Sequence, residues 1–297
     1  MELIVETKNL SKRYGAKLAV DCVDMHVERG SIYGLIGANG AGKTSLMKLL
    51  LGLTERTAGQ IRLFGSDDLE QSRRRIGSLI EAPGIYKNCT AFENMLRFTT
   101  LYGADKNEIM PLLDLVGLSA VANKKTGGFS LGMKQRLGIA VALIGHPELL
   151  ILDEPVNGLD PAGIKLVRDI VCELSEKGVT VIISSHLLDE LAKIVTHYGI
   201  IINGKLAEEI TAEELISNCR KAVNVVTDEA ENAKSILSAR FPDMKFVNSA
   251  NGLRFDLPEN VSTAQINRIL VENGVAVYEL TAFGSGLEDY FIERLKK

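Results

Sequence analysis

The run Gly37-Ala-Asn-Gly-Ala-Gly42-Lys43-Thr44 constrains this chain more than any other feature, because it lies between an apolar segment at 31–36 and a helical pattern at 43–53. It fits the phosphate-loop pattern, which works only where a strand ends and a helix begins. Glycines let the backbone fold back so that successive N–H groups face phosphate oxygens, and the helix start adds partial positive charge. Lys43 is expected to reach the β- and γ-phosphates and the Thr44 hydroxyl to ligate Mg²⁺. Gly37, Ala38, Asn39, Gly40, Ala41, Gly42 and Ser45 complete the expected nucleotide contacts. A strand, a loop and a helix in this order point to an α/β fold with a mainly parallel sheet.

Two further apolar runs, 148–152 and 179–183, read as strands buried on both faces of that sheet. The first delivers Asp153 and Glu154 at its end, where α/β sheets place their chemistry. Asp153 can hold Mg²⁺ through water, and Glu154 can polarise an attacking water near the γ-phosphate. An acidic pair also suits a plain strand terminus; the phosphate loop gives this one its meaning. Before these strands, Thr90 with Glu93 forms a capping box ahead of a helix to about residue 102, and beyond them Thr211 with Glu214 repeats the signature in a bridging helix.

From residue 221 the pattern changes: strand at 222–226, helix at 229–240, strands at 245–247 and 253–257, helix at 263–272 and strand at 275–280. That order is βαββαβ. A final amphipathic helix is expected at 286–295, with Leu287, Tyr290, Phe291 and Leu295 on one face. The expected division is therefore 1–210 for the nucleotide-binding domain, 211–220 for a linker helix and 221–297 for a small α+β domain.

Composition narrows the function. In 297 residues, 46% hydrophobic and 24% charged residues exclude a disordered or fibrous chain. The net charge of -4 offers no surplus for a polyanion, so nucleic acid is not expected as a partner. Cysteines at 22, 89, 172 and 219 stand too far apart for a zinc knuckle and read as buried reduced thiols of a reducing compartment. The first residues lack a secretory pattern, and no apolar run approaches the roughly 18–20 residues that span a bilayer. A cytoplasmic chain follows, whose membrane role must come through a partner.

Five ordered pieces together resemble the nucleotide-binding subunits of ABC transporters over about residues 1–210. They are the loop 37–44, Phe129-Ser-Leu-Gly-Met-Lys-Gln-Arg136, the acidic strand 149–154, Asn157-Gly-Leu-Asp160-Pro, and Ser184-Ser-His186. The resemblance implies a P-loop NTPase parallel-sheet core with an antiparallel β subdomain and a helical subdomain. It implies ATP and Mg²⁺ as cofactors, with two subunits, identical or paralogous, sandwiching two ATP molecules and driving a separate transmembrane permease from the cytoplasmic face of the membrane. Tyr14 falls where such subunits stack an aromatic on adenine, and His186 where they contact the γ-phosphate. Ser130 and Gly132 would meet the ATP held by the other subunit, and Asp160 would set the geometry between subunits; Ser130 and Asp160 are also good N-caps on structural grounds alone.

Three positions depart from the family's usual Leu-Ser-Gly-Gly-Gln: Phe129, Leu131 and Met133. Glu81 stands where most members carry a glutamine that reaches Mg²⁺ and the attacking water. Glu81 and the Phe-Ser-Leu-Gly-Met form resemble the bacitracin-resistance and lantibiotic-immunity branch, which implies export or removal of peptide antibiotics. A soluble ABC ATPase acting on ribosomes or DNA is the rival reading, but such proteins usually carry two nucleotide domains or a long insertion. An inert regulator fits poorly with Lys43, Asp153, Glu154 and His186 all present.

Overall fold

A computed structural model describes residues 2–185, 191–218, 221–242, 244–249, 252–258, 261–284 and 290. His186, Cys219 and all of the expected C-terminal helix but Tyr290 lie outside the described residues. The chain divides into two compact units, Met1–Ala212 and Glu213–Lys297.

The first unit opens with β1 (Leu3–Tyr14), β2 (Lys17–Val23), β3 (His26–Glu28) and β4 (Ile32–Ile36), then α1 (Lys43–Leu51), β5 (Ala58–Leu63), α2 (Leu69–Arg73) and β6 (Ile76–Leu79). Next come α3 (Ala91–Tyr102), α4 (Ile109–Leu115) and α5 (Leu131–Ala142), then β7 (Leu149–Asp153), α6 (Pro161–Glu176), β8 (Thr180–Ser185), β9 (His197–Ile202) and β10 (Lys205–Thr211). Six strands form one sheet in the order β10-β9-β4-β8-β7-β6, in which every pair is parallel except β9 with β10. Every residue of β4, β7 and β8 is buried, as a sheet covered on both faces requires. β1 pairs antiparallel with β2, β3 and β5 in a second sheet.

Helices α3, α4 and α5 make the helical part. The Thr90 hydroxyl accepts from the Glu93 N–H at 3.1 Å while Glu93 accepts from the Thr90 N–H at 2.7 Å, so the expected capping box is present. Gly103, at φ 67°, ends that helix in the left-handed region. α5 ends at Ala142, and beyond it Gly145 and His146 are both left-handed and Pro147 follows.

A short helix, α7 (Ala212–Asn218), leads into the second unit: β11 (Lys221–Val226), α8 (Ala230–Arg240), β12 (Phe246–Ser249), β13 (Gly252–Asp256), α9 (Thr263–Glu272) and β14 (Glu279–Gly284). The βαββαβ order holds, and the strands pair antiparallel in the order β12-β13-β11-β14. Val223, Val225, Leu253 and Phe255 meet Leu237, Ile266 and Leu270 in the core. The last strand begins at 279 and not at 275. Gly274 is left-handed at φ 82°, its N–H reaches the Val271 carbonyl, and the Val275 N–H reaches that of Leu270. These bonds close a Schellman motif, so buried Val275 is the helix's C-terminal apolar contact and not a strand residue.

None of the three described cysteines meets the expectation of burial. Cys22 is exposed at φ 49° beside irregular β1–β2 pairing, and Cys89 and Cys172 are only half-buried.

Candidate functional site

The topology explains why the site forms. β6, β7, β8 and β4 run parallel and abreast: Leu79 pairs with Leu152, Asp153 with Ser184, and Ile36 with Ser185. Their carboxyl ends therefore deliver the Glu81 loop, Asp153 and Glu154, Ser184, and the loop from Gly37 to one edge of the sheet.

Within the loop, Gly37 and Ala41 are buried while Ala38, Asn39 and Gly40 form an exposed crown. A Cβ at Gly42 would strike the Ala19 carbonyl, and its φ of 116° is itself a glycine conformation. A Cβ at Gly40 would meet nothing, so that position borders open space. α1 starts at Lys43 with no capping side chain and no acidic residue in its first turn, which leaves the first-turn amides of Lys43, Thr44 and Ser45 without a side-chain cap. This is the electrostatics of an anion cradle.

Lys43 is only 5% exposed. Its Nζ donates to the Gly37 carbonyl at 2.7 Å and lies 3.5 Å from Glu154 Oε1. The cost of burying this ammonium is offset by these partners, which fix the cation beside the loop. The Thr44 hydroxyl donates to Asp153 Oδ2 at 2.7 Å, and Ser184, fully buried, donates to Asp153 Oδ1 at 2.6 Å. The Ser184 hydroxyl also accepts from the Glu154 N–H at 2.9 Å. Glu154 is left-handed at φ 49°, a backbone that only a well-supported non-glycine residue keeps. Thr44 and Asp153 offer the hard oxygens that suit Mg²⁺. Ser184, which sequence reasoning left without a role of its own, ties the two acids together; the strand register that aligns it with Asp153 is a tertiary property.

Two expected residues sit at the margin. Tyr14, at the end of β1, is 46% exposed, with Lys12 Nζ 4.8 Å from its ring centroid. Glu81 is left-handed at φ 61° and its Oε1 accepts from Lys48 Nζ at 2.6 Å. That carboxylate raises the Lys48 pKa against the opposing effect of desolvation, with smaller contributions from Tyr14 and Asp153.

Ser130, Gly132 and Asp160 gather in a second cluster. Ser130 caps α5 by accepting from the Met133 N–H at 3.2 Å, and Asp160 caps α6 by accepting from the Gly163 N–H at 3.0 Å. A Cβ at Gly158 would lie 2.7 Å from Leu131, and one at Gly132 would lie 3.2 Å from Leu159. The two helix starts are thus packed on each other through a reciprocal pair of leucines and glycines.

Residues 20–157 match the protein family described as "ABC transporter". The chain is 42% identical to the bacitracin transport ATP-binding protein BcrA of Bacillus licheniformis, across 99% of this chain and 97% of that one. It is 45% identical to the lantibiotic transport ATP-binding protein SrtF of Streptococcus pyogenes, across 69% of this chain and 90% of that one. Among solved structures, the ATP-binding subunit of an ABC transporter aligns with a TM-score of 0.65 at 31% identity, covering 72% of this chain and 92% of that one. A cassette in its ADP conformation aligns at 0.66 and 26% identity, covering 74% and 95%. Phosphate cradle, acidic strand and near-full-length relatives converge: this chain belongs to the ATP-binding subunits of ABC transporters, a family of ATPases.

Proposed function

We propose that this chain drives a permease for peptide antibiotics of the bacitracin or lantibiotic type, as one of two cassettes that close around two Mg-ATP molecules. The observation that carries the cargo assignment is its similarity, along 97% of that protein's length, to a subunit named for bacitracin transport. No helix among the described residues is long and apolar enough to cross a membrane. In this reading the permease is a separate chain, and this subunit sits peripherally on its cytoplasmic side.

Tyr14 stacks on adenine, which is worth roughly 1–3 kcal/mol. Lys43 and the amides of residues 37–45 bind the phosphates. Thr44, Asp153 and Glu81 would hold Mg²⁺, which when bound neutralises charge on the phosphate oxygens. Glu154 polarises the attacking water, and its left-handed backbone, held by Ser184, sets where the carboxylate points. His186 contacts the γ-phosphate. Ser130, Gly132 and Asp160 complete the site of the other subunit, identical or paralogous. The loop through Glu81 borders a cavity of about 250 Å³ lined by Leu53, Leu79, Ile85, Phe98 and Tyr102, the seat proposed for the permease. Residues 221–297 are an accessory unit, because every nucleotide motif precedes residue 190.

Glu154→Gln tests the mechanism. Loss of the water-polarising carboxylate should slow hydrolysis by about 10²–10⁴-fold while leaving ATP affinity nearly unchanged. Size-exclusion chromatography should then show a monomer-to-dimer shift with ATP and Mg²⁺ that ADP does not produce, and Ser130→Arg should abolish it. A variant that stays monomeric at saturating ATP, both alone and with a paralogous subunit, rules the sandwich out. Full antibiotic resistance in cells carrying Glu81→Ala would rule out coupling through the Glu81 loop.

A further inference from the structure

The site holds more carboxylate than a pocket for a polyanion should tolerate. Asp153, Glu154 and Glu81 arrive at one sheet edge, and nucleoside triphosphate must bind among them. Glu154 has Lys43 3.5 Å away, and Asp153 is held by the hydroxyls of Thr44 and Ser184. Glu81 forms its ion pair with Lys48, at 2.6 Å.

The position of Lys48 follows from two regular repeats. Thr44 and Lys48 are four residues apart on α1 and share one face. Asp153 ends β7 and Glu81 lies just beyond the end of the adjacent parallel β6, following the Leu152–Leu79 pair by one and two residues. The helix ladder matches the strand ladder: Thr44 meets Asp153, and Lys48 meets Glu81. Glu81 also holds a left-handed backbone that glycine would adopt more readily. A glycine there would relieve the backbone but leave Lys48 without its carboxylate.

We propose that Lys48 is a positioning residue for Glu81: it offsets the carboxylate's charge, holds that loop against α1, and so keeps the cradle receptive to a polyanion. This rests on the nucleotide-binding reading above. It assigns Lys48 a role through Glu81, distinct from the favourable effect that any cation has in the last turn of a helix.

The two roles separate in a double-mutant cycle on the full-length chain. ATP affinity is measured by calorimetry, once with EDTA and once with Mg²⁺, for the parent, Lys48→Met, Glu81→Gln and the double variant. With EDTA, Lys48→Met should weaken ATP binding about two- to fivefold more in the parent chain than in the Glu81→Gln background, the coupling of a partly exposed ion pair. Lys48→Arg should restore the parent's affinity. Equal losses in both backgrounds would overturn the role through Glu81, since a helix-dipole or direct phosphate effect does not depend on the residue at position 81. Should Lys48→Met fail to fold by circular dichroism, Lys48→Gln replaces it in the same cycle with the same criterion. A folded parent chain that binds no ATP would instead overturn the nucleotide-binding reading itself.

Discussion

The two units solve opposite problems. In the first, polar groups are buried where the chemistry gathers: Lys43, Asp153, Ser184 and Ser185 are each at most 5% exposed. In the second, Thr227 is the only buried polar side chain among the described residues, and the core is aliphatic with one large aromatic, Phe255. Burying an ammonium and a carboxylate costs free energy that hydrophobic burial elsewhere must offset. The first unit has that reserve in three strands with no exposed residue. The second unit carries almost no polar burial and gains only packing. The candidate site and the less polar core thus lie in different units.

The sharpest way to break the comparison is Lys43→Ala. Loss of the phosphate-loop cation should abolish ATP hydrolysis in a phosphate-release assay; near-normal turnover would mean that the buried polar cluster serves folding alone.

Next in size is Leu253→Ala in the second unit. Its side chain is fully buried, so the change should cost about 2–5 kcal/mol in denaturant unfolding of that unit. Parent-like ATP affinity should persist at concentrations of denaturant where the second unit is already unfolded. A parallel loss of ATP binding would join the two units into one cooperative block.

A smaller effect is expected at Glu148, which Arg75 and Arg29 hold with hydrogen bonds of 2.6 to 2.9 Å. The two guanidinium groups depress its pKa from 4.5 to about 2, the hydrogen bond from Arg75 being the largest cause. A depressed folded pKa means the stabilisation is present above about pH 4.5 and is lost as pH falls toward 2. Because these side chains are 33–41% exposed, solvent keeps the effect modest. Glu148→Gln should therefore lower the melting temperature slightly at pH 7 and flatten its decline between pH 4.5 and 2; an unchanged slope would show that the network contributes nothing.

The smallest effect is the most telling about the boundary. Deleting residues 221–297 should leave Mg-ATP affinity unchanged, and a folded truncation that no longer binds ATP would place part of the nucleotide site in the second unit.

Local chemistry was legible in the sequence wherever a residue type has one use at one spacing. The glycine and lysine pattern of 37–44, the capping box of Thr90 and Glu93, and the uninterrupted apolar strands each specify a conformation through contacts only a few residues apart. The βαββαβ order was readable for the same reason. The strand expected at 275–280 was misplaced because valines suit strands, and only the helix end at Gly274 decided that Val275 packs as a cap. Cys22 was misjudged because burial depends on the irregular pairing of β1 with β2, which no local pattern encodes. Strand register was likewise beyond the sequence. It sets Ser184 against Asp153, and together with the packing of α1 on the sheet it sets Lys48 against Glu81, partners 31 and 33 residues apart, because side chains that distant in the chain meet only after the tertiary fold has chosen its neighbours.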